Sequence, residues 1–480
     1  MRRAFFAVTA ALVLAGCMVG PDYHKPEVTL PSSYPESLAA EQTSAGAEPV
    51  STQWWTLFGD PMLNDVVQSA IANNKDILQA IARIEEANAI VRAANSAFLP
   101  EVDVTAGAAR GAIPRSQAVS GNTVNNAFRL GLTSTFELDF WGRLRRGVES
   151  ARASALATRY AADVVRLTTV GITAQTYFAV RSLDAQIATT QVSLETRTES
   201  LRLVQRRTQA GVASDLELYQ QEGLRADAAA QLKELSRQRA IAQHALGVLA
   251  GHLDLDLRPV NLMNLPQPAL PPAGLPSTLL TRRPDIFQAE QALIAQNARI
   301  GVARADMFPT ISLTAGFGTL SSALTSFVTN DNRTWNVGAS VLGPIFDAGR
   351  RRALTEVEEA RTREALIAYQ QVIERSFREV ADALVTVRQA SSAEVDQEAR
   401  VKAADNALRL ANLRYQAGYS AFLEVLDAQR TKNDAELSLI RNRQTLLAAD
   451  VDLMRALGGG WSPEAGFAPA AQAETATTVQ

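Results

Sequence analysis

The chain has 480 residues, with 47 basic and 50 acidic side chains and a formal net charge of −3, so charge alone gives no reason to expect nucleic acid or a strongly acidic partner. Three histidines and one cysteine cannot furnish a disulfide framework or a Cys/His metal centre, which excludes metalloenzymes and thiol enzymes of those kinds. Aromatic residues are scarce at 6%, while Ala, Gln, Thr and Arg are plentiful, a balance suited to long helices.

At the N-terminus, Arg2 and Arg3 precede an apolar stretch from Ala4 to Ala15. The stretch is too short to span a bilayer and reads as a signal peptide over residues 1–16. It ends in Leu14-Ala15-Gly16-Cys17, which matches the site where bacterial lipoproteins are cut and acylated. That processing needs small residues before the cut and a thiol at the new terminus, so Cys17 is the candidate lipidation site. A signal peptide that merely contains a cysteine is the plainer alternative. Met18 follows instead of an Asp, and an Asp there would favour inner-membrane retention. The expected destination is therefore the outer membrane, with a lipid anchor and a body reaching into the periplasm. Residues 17–55 read as an extended leader.

No proline lies between Pro114 and Pro259, or between Pro344 and Pro463, and such stretches rich in Ala, Leu, Gln, Glu and Arg predict helix. A first repeat over 56–251 reads as a helix at 62–98, strands at 102–112 and 127–140, a long helix at 142–209 and a return helix at 214–250. A Pro-rich connector covers 252–282. A second repeat over 283–460 reads as a helix, strands at 310–320 and 334–343, a long helix at 348–416 and a return helix at 420–457. Residues 461–480 read as a flexible tail. The duplication is explicit: Leu201-Arg202-Leu203 recurs as Leu408-Arg409-Leu410, Gln209-Ala210-Gly211 as Gln416-Ala417-Gly418, and Gly142-Arg143 as Gly349-Arg350, all offset by 207.

Within the strands, Phe128, Leu130, Leu132, Phe136, Leu138 and Phe140 alternate with Arg129, Gly131, Thr133, Thr135, Glu137 and Asp139. The second repeat sets Trp335, Val337, Ala339 and Val341 against Asn336, Gly338 and Ser340. Segments of about ten residues with this alternation fit a transmembrane β-barrel, or half-buried soluble hairpins. Four strands cannot close a barrel, whose smallest single-chain forms have about eight, so the barrel reading requires several copies, and three would supply twelve strands. The long helices span about 100 Å at 1.5 Å per residue. Apolar residues recur in heptads at Val180, Ile187, Leu194 and Leu201, and at Ile373, Val380, Val387, Val401 and Leu408, around an otherwise polar girth. Helices lining a water-filled tube fit this pattern, and so does an ordinary periplasmic coiled coil.

Leu275-Pro276-Ser277, Arg282-Arg283-Pro284-Asp285-Ile286, Ala289-Glu290, Gly301-Val302-Ala303 and Phe308-Pro309 together resemble the signature of outer membrane efflux lipoproteins of the NodT/OprM type, within the TolC-like outer membrane factor family. Val19-Gly20-Pro21-Asp22-Tyr23 is also similar to that group. The resemblance implies an α+β membrane protein: a homotrimeric TolC-like tunnel with a twelve-stranded barrel, four strands per chain, on a long α-helical periplasmic barrel. It also implies a passive duct with no enzyme activity, served by a periplasmic adaptor (membrane fusion) protein and an inner-membrane efflux transporter of the resistance-nodulation-division class. Type I secretion or metal-ion efflux remains open within this class, and a lipid-anchored adaptor or tether is the rival outside it.

No Gly-rich phosphate loop follows a strand, so no nucleotide or other cofactor is expected. Function is expected at the two turns, Gly211 with Ser214 and Gly418 with Ser420, where the resemblance implies adaptor docking. A glycine at a helix end is also an ordinary left-handed cap, and Ser214 with Glu217 makes a plausible capping box. In TolC-like channels a tyrosine three residues before the second glycine bonds an acidic residue of the other turn to hold the closed state. Tyr415 matches that position, with Asp215 as the nearest acidic residue and Glu217 as the alternative. Tyr415 also sits on the heptad stripe, where packing alone would account for it.

Overall fold

The computed structural model describes residues 18–31, 34, 50–112, 114, 116, 123–258, 262–268, 278–327 and 329–464. The signal peptide, Cys17 and residues 465–480 lie outside the described residues, while Trp461, read from the sequence as the start of a flexible tail, is instead buried, with its indole N–H donating to Asp163 at 2.9 Å. Among the described residues, eight α-helices and four strands follow in order: α1 (Pro61–Asn73), α2 (Lys75–Ser96), β1 (Glu101–Ala112), β2 (Val124–Leu138), α3 (Arg143–Gln209), α4 (Asp215–Ala250), α5 (Leu279–Arg282), α6 (Pro284–Ala305), β3 (Thr310–Ser321), β4 (Arg333–Leu342), α7 (Arg350–Gln416) and α8 (Phe422–Ala456). The two long helices have 67 residues each.

The first helix of the sequence reading is two helices, broken at Asn74. Its backbone is extended there, and its side chain does the work of a cap twice over. Asn74 Oδ1 accepts from the N–H groups of Asp76 and Ile77, at 2.9 and 3.3 Å, while Nδ2 donates to the Leu249 carbonyl at 3.0 Å. An asparagine that feeds the next helix start and ties it to α4 has no reason to stay helical. The return helix of the second repeat begins at Phe422 rather than at 420, because Ala421 is still extended and Phe422 is already committed to a small apolar cluster.

The strands form one antiparallel sheet in the order β1-β2-β3-β4. The central pairing, β2 with β3, joins the two repeats. Side chains directly opposite share a face, so the register can be read as two surfaces. One carries Val104, Leu132, Phe317 and Trp335 in a single row, with Leu130, Phe136, Leu313, Val337 and Val341 around it. The other carries Asp103, Thr133, Gly316 and Asn336 in the adjacent row, with Arg129 and Glu137. The apolar surface is open: Trp335 and Val337 are each 77% exposed in the single chain. β1 and β4 each have one side unpaired in the chain, the arrangement that must be completed by another copy or left prone to aggregation.

The chain divides into two compact units. The first consists of Met1–Val28, Ala82–Arg159 and Gln288–Gln370. Here the leader is not loose. Gly20, at φ +109°, lies so close to Gly301 that a Cβ on it would stand 2.5 Å from the Gly301 Cα. Asn297 Nδ2 donates to the Pro21 carbonyl at 3.0 Å, and Asp22 accepts from the buried Arg146 at 2.7 Å. Tyr23 and Lys25 both donate to Glu290. Gly20→Ala and Gly301→Ala are each expected to cost about 1–3 kcal/mol, since backbone must shift to admit the methyl. Thermal melting should fall, and limited proteolysis after Glu27 should quicken relative to the parent protein.

The second unit consists of Thr29–Ile81, Tyr160–Phe287 and Gln371–Gln480. Its main core gathers Trp54, Phe58, Val67, Tyr177, Phe178, Leu246, Leu262, Leu447 and Met454. Arg283, 7% exposed, reaches Asp285 through two bonds of 3.0 and 2.6 Å, Glu379 at 2.9 Å and the Ala456 carbonyl at 3.0 Å. Beside it, Pro284 opens α6, where its missing N–H costs nothing. The helix seams show what the apolar heptads alone do not. Three residues after most of the apolar positions sits a second buried residue: Thr190, Arg197 and Val204 on α3, and Ser376, Ala383, Ala390, Ala404 and Ala411 on α7, while Leu183 after Val180 is half-buried. The two rows together make the a and d positions of a coiled-coil seam.

Candidate functional site

The two turns are built alike. α3 ends with Gly211 at φ +74°, whose N–H bonds the Thr208 carbonyl while Val212 N–H bonds that of Arg207, both at 2.9 Å. α7 ends with Gly418 at φ +76°, and Gly418 and Tyr419 repeat the same two bonds to Tyr415 and Arg414 at 3.0 and 2.9 Å. Left-handed glycine caps satisfy the last carbonyls of both helices. α4 then starts after Ser214, whose Oγ accepts from the Glu217 N–H at 3.2 Å. α8 starts after Ala421 with no such side-chain cap. Ser420 is not its cap either; its Oγ is buried without a hydrogen-bond partner.

Around these turns large apolar side chains face outward. Val212, Leu216, Tyr219, Tyr419 and Leu423 are 62–81% exposed. An open groove between α4 and α8 is lined by Tyr219, Leu224, Leu423 and Leu426, with Asp427 and Arg430 at its polar edge. Beneath it a compact cluster joins Val204, Ala411, Phe422, Val425 and Leu426, against which Leu218, Leu224, Leu408 and Tyr415 pack.

Tyr415 therefore packs on the seam and also makes a specific bond. Its ring lies 4.8 Å from that of Phe422. Its hydroxyl accepts from Arg207 Nη1 at 2.6 Å, and the guanidinium stands 5.2 Å from the ring centre. In this protomer the partner of Tyr415 is thus the Arg207 guanidinium, not a carboxylate. Burial pushes the Tyr415 hydroxyl above its ordinary pKa, with Arg207 opposing the rise and Glu217 adding to it. Of the two acidic candidates, Glu217 is the one whose charge reaches the tyrosine, while Asp215 is exposed in the first turn of α4. The sequence reading did not single out Arg207, although the duplication held its signal: 207 residues on stands Arg414.

A second unforeseen group is Asp450 on α8. It is fully buried, and neither carboxylate oxygen has a hydrogen-bond partner. Burial lifts its carboxyl to about 7, against the pull of Arg443 and with a further push from Glu394. Arg443 is itself engaged, bonding Glu394 on α7 at 3.1 Å and the Leu265 carbonyl.

Comparison with known proteins fits this architecture. The outer membrane efflux protein family matches over residues 66–252 and 275–459, once across each repeat. The cation efflux system protein CusC of Escherichia coli O6:H1 is 34% identical over 463 residues, covering 94% of this chain and 97% of that one. The pyoverdine export outer membrane protein OpmQ of Pseudomonas aeruginosa is 35% identical over 467 residues, covering 95% and 97%. Among solved structures, the Campylobacter jejuni CmeC outer membrane channel superposes with a TM-score of 0.87 at 26% identity, covering 93% of this chain and 96% of that one. The sheet, the paired long helices and the internal repeat are those of the TolC-like outer-membrane channels, and the chain belongs to the outer membrane efflux protein family.

Proposed function

We propose that this chain, as a homotrimer, is the exit duct of a tripartite efflux pump. An inner-membrane transporter of the resistance-nodulation-division class supplies the energy, a periplasmic adaptor protein bridges to the duct, and the cargo is drugs or toxic small molecules. The observation that carries this reading is the sheet: four strands with an exposed face that is apolar through its middle, around Val104, Leu132, Phe317 and Trp335, and turns polar toward one end at Arg110, Asn126 and Arg333, and two edges unpaired within the chain. Inside a bilayer every backbone group must be paired, so such a sheet is stable there only as part of a closed barrel, which three copies complete with twelve strands. The polar surface, with Asp103, Arg129, Glu137 and Asn336, then faces the water-filled lumen.

Cys17 carries the lipid that fixes the N-terminus in the outer membrane. The adaptor docks at the turns around Gly211, Ser214, Gly418 and Ser420, where the exposed apolar side chains and the α4/α8 groove offer purchase to an amphipathic helical tip. Tyr415, through its bond to Arg207 on the other hairpin, holds the resting end narrow, with Asp215 and Glu217 close by in the first turn of α4. The duct is passive and needs no catalytic group. CusC and OpmQ are named for different cargoes at nearly the same identity to this chain, so a cation efflux role is the second reading, decided by the partner transporter.

The test is conductance of the purified, detergent-solubilised protein in planar bilayers, with its mass measured in parallel. The expected result is the mass of three chains and small, steady currents that rise about tenfold on Tyr415→Phe. A well-folded protein that neither inserts nor conducts would sink the duct and favour an adaptor or tether.

A further inference from the structure

The internal duplication makes each turn a control for the other. Counted along the offset of 207, Arg207 corresponds to Arg414, Glu217 to Glu424, Asp215 to Phe422 and Thr208 to Tyr415. The backbones also correspond. Both long helices end at the matching glutamine, both glycines are left-handed with the same pair of capping bonds, and both return helices begin at the matching residue. In the second turn, Arg414 pairs with Glu424 within its own hairpin, Nε to Oε1 at 3.4 Å. In the first turn the same arginine does something else. Arg207 leaves its own hairpin and donates to Tyr415 on the other one, with its guanidinium over the ring.

The reason is visible in the two non-matching positions. The second turn supplies an aromatic pair, Tyr415 on Phe422, where the first has only Thr208 and Asp215. At the positions matching Tyr415 and Phe422, Arg414 finds Thr208 and Asp215, whereas Arg207 finds the ring of Tyr415. Glu217 remains beside the site, close enough for its charge to act on the Tyr415 hydroxyl. Arg207 thus has one partner in hand and a second one in its own hairpin at the matching position. One is a short, charge-assisted bond with a cation–π contact across hairpins. The other is an ion pair within its own hairpin, whose geometry the second turn already displays.

We infer that Arg207 is an exchange latch: bonded to Tyr415 it holds the two helical hairpins of one chain together at their turns, and on opening it transfers to Glu217, reproducing the Arg414–Glu424 pair. This rests on the reading of the turns as the gated end of the duct. It deepens that reading by giving Glu217 the opposite sign, since the exchange makes it the partner of the open state instead of a bond that keeps the end shut. The Arg414–Glu424 pair shows that a turn of this backbone admits such an ion pair, so in the exchange the hairpins part without the carboxylate or the guanidinium being left bare.

Bilayer conductance of the full-length protein at neutral pH tests this. Tyr415→Phe is expected to raise mean conductance about tenfold, the worth of one charge-assisted bond. Glu217→Gln is expected to lower it, because the open state loses its partner. In an Arg207→Gln background both substitutions should become silent, since the residue through which they act is gone. Thermal melting of each variant verifies that it is folded. If Glu217→Gln raises conductance or leaves it unchanged while Tyr415→Phe raises it, the exchange is wrong and the gate stands. If the two substitutions keep their effects without Arg207, the latch is likewise overturned. If neither single substitution alters conductance in a folded, conducting trimer, the gate reading falls with it.

Discussion

Arg283→Met should destabilise the protein by about 3–5 kcal/mol. The guanidinium is almost wholly buried and is shared by two carboxylates and one carbonyl, on Asp285, Glu379 and Ala456. Burial works against its charge, but the bonds to Asp285 and Glu379 more than offset this, and its pKa stands above the ordinary arginine value. Removing it leaves Asp285 and Glu379 facing each other without the cation. Thermal or denaturant melting of the detergent-solubilised protein measures the loss. Glu379→Gln in the same background should recover part of it, because one of the stranded charges is gone. A loss below about 1 kcal/mol would mean that the cluster is decorative and that packing around Pro284 holds this corner.

Asp450→Asn should act in the opposite direction, and only above a certain pH. The carboxyl titrates near 7 in the folded protein against an ordinary value of 3.8. Below about pH 4 it is neutral in both folded and unfolded chains and makes no difference. Between pH 4 and 7 the unfolded chain has released its proton and the folded one retains it, so stability falls as pH rises. Above 7 the deficit is constant, about three pK units or up to about 4 kcal/mol. Asparagine imitates the protonated form at every pH. The variant should therefore match the parent at pH 4 and exceed it by about 2–4 kcal/mol at pH 8. Parallel melting curves at both pH values decide it, and equal differences at the two would remove Asp450 as the source.

The features most legible in the sequence are those with a short period. Alternation such as Phe128, Leu130, Leu132 fixes which side of a strand is apolar, because a slip of one residue would invert every side chain, but it leaves shifts by two residues open, so the pairing of Leu132 with Val104 and Phe317 had to come from the fold. The repeat was equally plain, because it is written in identities at a constant offset. Single side chains with several distant duties were not. Asn74 looks like any polar helix residue until Leu249 is beside it. Arg207 and Tyr415 are 208 residues apart, so no local spacing announces their bond. Asp450 sits among Leu446, Leu447, Val451 and Leu453, and nothing in the sequence shows that the whole surrounding surface is covered. The buried alanine row of α7 was hidden for a related reason: alanine suits any face of a helix, so only packing shows which alanines form the seam.

The leader adds a matter of timing. Tyr23, Lys25 and Pro21 find their partners 265 to 276 residues further along the chain. Contacts of such long range carry a large closure entropy and form late, after local helices and hairpins. A segment synthesised well before its partners is therefore among the last to be fixed, and it can settle only once α6 presents Glu290, Asn297 and Gly301 on one face. Its docking marks a finished first unit, and the protection of its backbone amides from exchange is a clock for the final stage of folding.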